Sequence, residues 1–448
     1  MKKILLIGAG RSTYSLVKYL QDHSAEYDWD LTIADQNREW AVERAGSHER
    51  SFAISLDIHN EPDLENQIER HDLVISMLPA HMHITVARNC IKHRKHMVTA
   101  SYISPEMKAL NQEAIEAGVI MINEIGVDPG IDHLSAMKVL DEIREQDGKM
   151  LLFESFTGGL VAPESDNNPW HYKFTWNPRN VVLAGSGGAV KFRQEGMYKY
   201  IPYHQLFRRT EIIEIEGYGR FEGYANRDSL NYRRTYGIED IPTIYRGTLR
   251  RPGFCRAWDV FVKLGMTDDS YTLENSAQMT YRDFTNTFLA YNPTDSVELK
   301  LMHYLNIPQD SELMEKLEWI GIFDNTQIGL PNATPAQILQ HILQQKWQLE
   351  PDDRDMIVMY HKFGYEVAGE KKMRESYMVT KGRNHRETAM ARTVGLPVAI
   401  ATHNILNGKI HTPGVQIPIT PEIYRPMLAE LEEYDVRFIE KELPYRGY

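Results

Sequence analysis

The sequence predicts an α/β protein: a doubly wound parallel sheet at the N-terminus, then a second α/β domain with a mixed sheet and a helical insertion. Three observations support this. Short apolar runs alternate with helical stretches over the first 123 residues; a glycine turn separates the first run from the first helix; and from about residue 150 the strands lengthen before a helical stretch interrupts them.

Residues 3–7 (KILLI), 30–35 (DLTIAD), 51–57 (SFAISLD), 72–78 (DLVISML), 96–100 (HMVTA) and 119–123 (VIMIN) are β-branched or continuously apolar, as strands buried on both faces of a parallel sheet are. Helices are expected between them at 11–23, 38–46, 61–70, 83–93 and 104–117, the last opened by Ser104 as N-cap and Pro105 at the first helical position. The first turn, GAGRST, reads G-x-G-x-x-T. Gly8 and Gly10 permit a tight turn and close approach of backbone to a pyrophosphate, while Thr13 stands where a third glycine usually packs helix against strand. By position this is a Rossmann-type dinucleotide site. Asp35 ends the second strand, where an acid accepts hydrogen bonds from the adenosine ribose and repels a 2′-phosphate. Gln36 and Asn37 follow before Arg38, so NAD is expected over NADP.

The carboxyl edge of such a sheet binds ligands. Residues 78–83 (LPAHMH) lie there, and His81 and His83 are read as capping or surface histidines, since carboxylates at metal-binding spacing are missing. Ser101 and Tyr102 close the fifth strand on the same edge. After the sixth comes INEIGVDPGIDH, a tight turn crowded with ionisable groups.

Further on, 150–157, 210–215 and 355–361 read as longer strands, the last paired with 373–380. Residues 266–350 are helical, with Ser311 as one N-cap and Thr334, Pro335 and Gln337 as a capping box. Residues 220–256 hold eight arginines, no lysine and four acids, a local balance opposite to that of the whole chain. Guanidinium groups bind carboxylates in bidentate fashion, so a small polycarboxylate is the expected ligand, while several of these arginines are expected to pair with acids of their own domain.

Composition narrows the class. A chain of 448 residues exceeds one ordinary core. Its net charge of −12 argues against nucleic acid. It has no apolar run of membrane-spanning length, and the apolar start is too short for a secretory signal, so no membrane partner and a cytoplasmic location are expected. Cys90 and Cys255 stand alone, which fits a reducing compartment and no metal site.

The segments HDLVISMLPAHMH, HMVTASYISPEM, INEIGVDPGIDHL, GGLVAPESDNNPWHYKFTW, YANRDSLNYRRTYGI, YRGTLRRPGF and EKLEWIGIF resemble the saccharopine reductase family, also called saccharopine dehydrogenase (L-glutamate-forming). They also resemble the matching domain of aminoadipic semialdehyde synthase. The resemblance implies a homodimeric oxidoreductase of lysine metabolism acting on CH–NH donors. Saccharopine, NAD(P)+ and water give L-glutamate, 2-aminoadipate 6-semialdehyde and NAD(P)H, or the reverse. It implies a dinucleotide-binding domain at 1–128 completed by about 385–448, a substrate-binding and dimerisation domain at 129–265 and 351–384, and a helical insertion at 266–350.

Family cofactor roles fall on Gly8, Gly10, Arg11, Ser12, Thr13, Asp35, Gln36, Leu56, Asp57, Leu78, Val127, Asp128 and Pro129; substrate roles fall on Ser101, Tyr102, Asp128, Arg227, Thr248, Leu249 and Arg250. NADP-using members carry an arginine just after the second strand, where this chain has Asp35 and Gln36, a further reason to expect NAD. Asp128 is the expected group nearest the reacting amine, with Tyr102 second. Asp132 and His133 are expected to order the loop. The alternatives are a related reductase on another amine–aldehyde pair, such as carboxynorspermidine dehydrogenase, and a non-catalytic NAD(P)-sensing protein.

Overall fold

The structure is a computed structural model and describes residues 1–447. The chain divides into two compact units: Met1–Lys149 with Val367–Gly369 and Met378–Ile439, and Met150–Glu366 with Glu370–Tyr377 and Glu440 onward. Residues 129–149, expected in the second domain, cluster with the first. The reason is the helix Ile131–Arg144, which packs on Pro421–Glu433, where the Tyr424 hydroxyl donates to Asp141 Oδ2 at 2.8 Å.

Among the described residues, the first unit holds a seven-stranded sheet in the order Gly414–Gln416, Ile120–Ile122, His96–Val98, Leu73–Ser76, Lys2–Ile7, Trp29–Asp35 and Ser51–Ser55. Every pairing is parallel. The order reverses between Lys2–Ile7 and Leu73–Ser76, which opens a crevice at their carboxyl ends. Leu5, Ile7, Val74, Met97 and Met121 face a core closed by Leu64, Val86, Ala87, Met107 and Ala114 of the crossover helices. Helices Tyr14–Ser24 and Ala389–Leu406 pack together, the second also against the middle strands. Both faces are therefore covered over the middle of the sheet, which is why Leu73–Ser76 and Ile120–Ile122 are buried throughout, while the edge strand Ser51–Ser55 is partly exposed.

Two local features differ from the expectation. The helix foreseen at 104–117 divides at Leu110 into Pro105–Ala109 and Asn111–Ala117. Asn111 Oδ1 accepts from Val415 N–H at 2.8 Å and so holds the short strand Gly414–Gln416, which the sequence reading did not foresee.

Among the described residues, the second sheet has nine strands and is mixed. Thr243–Arg250 runs parallel to Lys149–Val161 and antiparallel to Gly219–Ala225, while Asp355–Val367 and Glu370–Lys381 are neighbours. The helices at 266–350 carry the foreseen caps: Ser311 Oγ accepts from Met314 N–H, and Thr334 and Gln337 form a capping box. Among the described residues no helix is long and apolar enough to cross a membrane.

Candidate functional site

At the switch point Gly8 adopts φ +100°, and a Cβ there would stand 2.7 Å from Met77 O. Only glycine lets the first turn lie this close to the fourth strand's exit. Thr13 is buried, and its hydroxyl donates to Gly10 O at 2.7 Å, bracing the turn from within. The close approach usually granted by a third glycine comes from the other side: a Cβ on Gly395 would stand 2.8 Å from Leu16 N and 3.0 Å from Ser12 O. Gly10 and Arg11 are exposed and Ser12 half-buried, so the turn presents backbone outward. This cradle fits a dinucleotide.

Asp35 serves the turn. Its carboxylate accepts from Ala9 N–H at 2.8 Å and from Asn37 N–H at 2.9 Å. Gln36 and Asp57 are exposed, Leu56 is buried with its N–H on Asp35 O, and Leu78 is half-buried at the edge of the core.

The loop at 124–133 is built from its own charges. Glu124, at φ +56°, accepts from Ile103 N–H at 2.9 Å and lies 2.8 Å from His133 Nε2. Asp132 Oδ1 accepts from Gly130 N–H at 2.6 Å, and Gly126 N–H donates to Pro129 O at 2.9 Å. A Cβ at Gly130 would meet Gly126 O at 2.0 Å, so only glycine closes this turn. Between Val119 and Met137 every residue is buried except Asp128, which is half-buried. The Tyr102 hydroxyl, on a side chain 43% exposed, stands 3.4 Å from Asp128 Oδ1. Val127 and Pro129 flank Asp128 and are buried.

Behind Ser101 lies a residue whose role sequence reasoning missed. His83 is buried, not a surface cap: Nδ1 lies 2.8 Å from Ser76 Oγ and Nε2 lies 2.7 Å from Ser101 Oγ. Burial pushes its pKa down to about 4, so the ring is neutral at pH 7 and relays one hydrogen bond to Ser101. Its alternation with exposed His81, at the start of a helix, was the available signal. Among the described residues no three His, Cys, Asp or Glu side chains are grouped to hold a metal.

In the second unit the arginines separate by environment. Arg220 pairs with Glu214 on the surface, Arg251 lies over the Phe221 ring at 4.4 Å, and Arg246 lies over Tyr232 at 3.7 Å. Arg227, at φ +44°, is exposed. Arg250 is 3% exposed, ringed by Tyr172, Phe254 and Tyr224 at 5.1, 5.3 and 5.8 Å. Its Nη1 donates to Leu249 O at 2.8 Å, its Nε is buried without a partner, and among the described residues no carboxylate pairs with it. Thr248 is half-buried beside Thr157, whose buried hydroxyl also lacks a partner. The Leu249 side chain is fully buried, which leaves its backbone as the part able to meet a ligand.

Known proteins show the same organisation. Residues 4–122 match the saccharopine dehydrogenase NADP binding domain, and 126–436 match the saccharopine dehydrogenase C-terminal domain. Saccharopine dehydrogenase [NADP(+), L-glutamate-forming] of Schizosaccharomyces pombe is 34% identical over 450 residues, 98% of this chain and 99% of that protein. Mitochondrial alpha-aminoadipic semialdehyde synthase of Mus musculus is 32% identical over 98% of this chain and 47% of its own length. The apo structure of saccharopine dehydrogenase (L-Glu forming) from Saccharomyces cerevisiae superposes with a TM-score of 0.90 at 32% identity, covering 99% of this chain and 100% of that one.

These matches correct the expected preference for NAD over NADP, because the matched domain and the Schizosaccharomyces pombe relative carry NADP in their names. The physical reason lies in Asp35, whose oxygens are occupied by Ala9 and Asn37 N–H groups and so hold the turn instead of standing open to the ribose. With both halves matched in order and the full length covered, the chain belongs to the saccharopine dehydrogenase family.

Proposed function

We propose that this chain is an L-glutamate-forming saccharopine dehydrogenase. It oxidises saccharopine with NADP+ and water to L-glutamate and 2-aminoadipate 6-semialdehyde, or runs the reverse, within lysine metabolism. Beyond family membership one observation carries this reading: Arg250, a buried guanidinium with no carboxylate paired to it among the described residues, suits a substrate rich in carboxylates.

The bound nicotinamide supplies the hydride acceptor. The chain's own groups manage protons and orientation. The amine must be neutral before hydride leaves, and water must lose a proton as it adds to the resulting imine. Asp128 is assigned that proton-accepting role, because it is the one partly exposed residue of an otherwise buried loop at the crevice edge. Tyr102, hydrogen-bonded to it, orients the amine or the water. Ser101, held by His83, and Thr248 offer hydroxyls to the substrate. Arg250 takes one carboxylate, and exposed Arg227 a second.

The test follows reduced-cofactor absorbance with saccharopine and NADP+. Turnover is expected, and Asp128→Asn should lower kcat roughly 100- to 10,000-fold while NADP+ binding persists. Cofactor binding with no turnover would favour a non-catalytic sensor; turnover of carboxynorspermidine alone would favour the related reductase. The buried free thiols Cys90 and Cys255 support a cytoplasmic setting. Exposed Tyr198, Tyr200 and Ile212 on strands of the second unit support a homodimer, which sedimentation velocity tests.

A further inference from the structure

Asp35 and Gln36 lie just past the second strand, and the first cation after them is Arg38, exposed at the start of the next helix. Arg44 is placed differently. It lies in the last turn of the helix Arg38–Ala45, and its Nη2 donates to Gly10 O at 3.2 Å, so the guanidinium reaches the glycine turn itself. It leans over the Tyr14 ring, 5.7 Å from the centroid. Its Nε is buried without a hydrogen-bond partner, and among the described residues no carboxylate forms an ion pair with it. Burial pulls its pKa down; the neighbouring Glu43 and Tyr14 work the other way, and a second guanidinium, Arg386, adds a smaller downward pull. Arg386 precedes the helix Ala389–Leu406, whose Gly395 packs against the same turn at Ser12. A half-buried guanidinium with one carbonyl acceptor and an unpartnered Nε has donors to spare for an anion.

We propose that Arg44 receives the adenosine 2′-phosphate and sets the preference for the phosphorylated cofactor in this chain. The assignment rests on the dinucleotide reading above. A phosphate is held by guanidinium in a bidentate fork, so the residue already anchored to Gly10 gains its missing acceptors without moving the turn. Arg38 is exposed on the first turn of the same helix and makes a natural control.

The experiment is calorimetric titration of the full chain with NADP+, NAD+, 2′,5′-ADP and adenosine 5′-monophosphate, for wild type, Arg44→Met, Arg44→Lys and Arg38→Ala. Arg44→Met should weaken NADP+ and 2′,5′-ADP roughly 10- to 100-fold while leaving NAD+ and the monophosphate within about twofold. Arg44→Lys should recover part of the loss, and Arg38→Ala should leave the ratio unchanged. An equal loss for all four ligands would reduce Arg44 to a brace for the turn and overturn the proposal. Wild type that binds 2′,5′-ADP no tighter than the monophosphate, or a selective loss confined to Arg38→Ala, overturns it too. Wild type that binds none of the four sinks the dinucleotide reading and this proposal with it, whereas tight NAD+ binding without the 2′ contrast sinks this proposal alone.

Discussion

Replacing Arg250 by Met should separate stability from substrate affinity in opposite directions. Met keeps an unbranched stem in the cage of Tyr172, Tyr224 and Phe254 and removes only the charge. In the free chain that charge is offset by three ring faces at 5.1–5.8 Å and one carbonyl at 2.8 Å. Each ring contributes about 0.5–2 kcal/mol and the carbonyl about 1 kcal/mol. Against this stands a desolvation penalty of several kcal/mol for a cation that is 3% exposed. The terms nearly cancel, so Tm should stay level or rise. Saccharopine, by contrast, loses a buried charge-assisted contact of about 1.5–3 kcal/mol, an affinity loss of roughly 10- to 150-fold. Arg250→Lys should fall between, because an ammonium keeps the charge and loses the fork. Scanning calorimetry and KM for saccharopine read the two effects separately. A large drop in Tm with KM unchanged would make Arg250 a structural residue and remove it from the site.

His83 titrates in a defined window. Its folded pKa of about 4 lies below the ordinary histidine value of 6.5, so the unfolded chain binds the proton more readily between those values. Stability is therefore fully present above pH 6.5 and declines as pH falls toward 4, by about 3 kcal/mol for this one group. Urea unfolding across that range should show His83→Gln with a shallower slope than wild type; parallel slopes would mean the ring is solvated. For the glycine turn, Gly8→Ala should destabilise by about 1–3 kcal/mol and weaken dinucleotide binding, since φ is +100° and Met77 O blocks the methyl at 2.7 Å. Unchanged cofactor fluorescence and urea midpoint would remove the close approach from the account.

Much of the first unit was legible because its code is local. A strand buried on both faces must be apolar at every position, and KILLI, DLVISML and VIMIN announce themselves for that reason. Ser104, Ser311 and Thr334 cap helices through backbone geometry three residues away, which a short window captures. The strand Gly414–Gln416 escaped because three residues carry no period, and its anchor, Asn111, lies 304 positions earlier. The same distance effect misled the cofactor expectation: Asp35 was read by its place after a strand, whereas its partner Ala9 is 26 residues away and takes up the oxygen meant for a ribose. The eight-arginine stretch was legible as a charge anomaly, yet only burial tells Arg250, without an acid, from Arg220, paired with Glu214.

The loop after the sixth strand shows why so many charges surround one turn. A buried carboxylate is costly unless its lone pairs are filled, and here they are: Glu124 by Ile103 N–H and His133, Asp132 by Gly130 N–H. One bond ties the turn to the loop at Ile103, one joins its two ends through Glu124 and His133, and one braces it from within at Gly130, so the backbone at 126–130 has few ways to relax. Apolar residues in those places would pack at least as stably, because hydrophobic replacement of buried ionic groups is often neutral or favourable. What they would not supply is direction. With Glu124, Asp132 and His133 drawn inward, Asp128 is left as the half-buried carboxylate of the loop, the one to which proton transfer is assigned above. Inward charges that fix the one outward charge are the arrangement proton transfer requires, since a base displaced by an ångström loses its hydrogen bond to the reacting group.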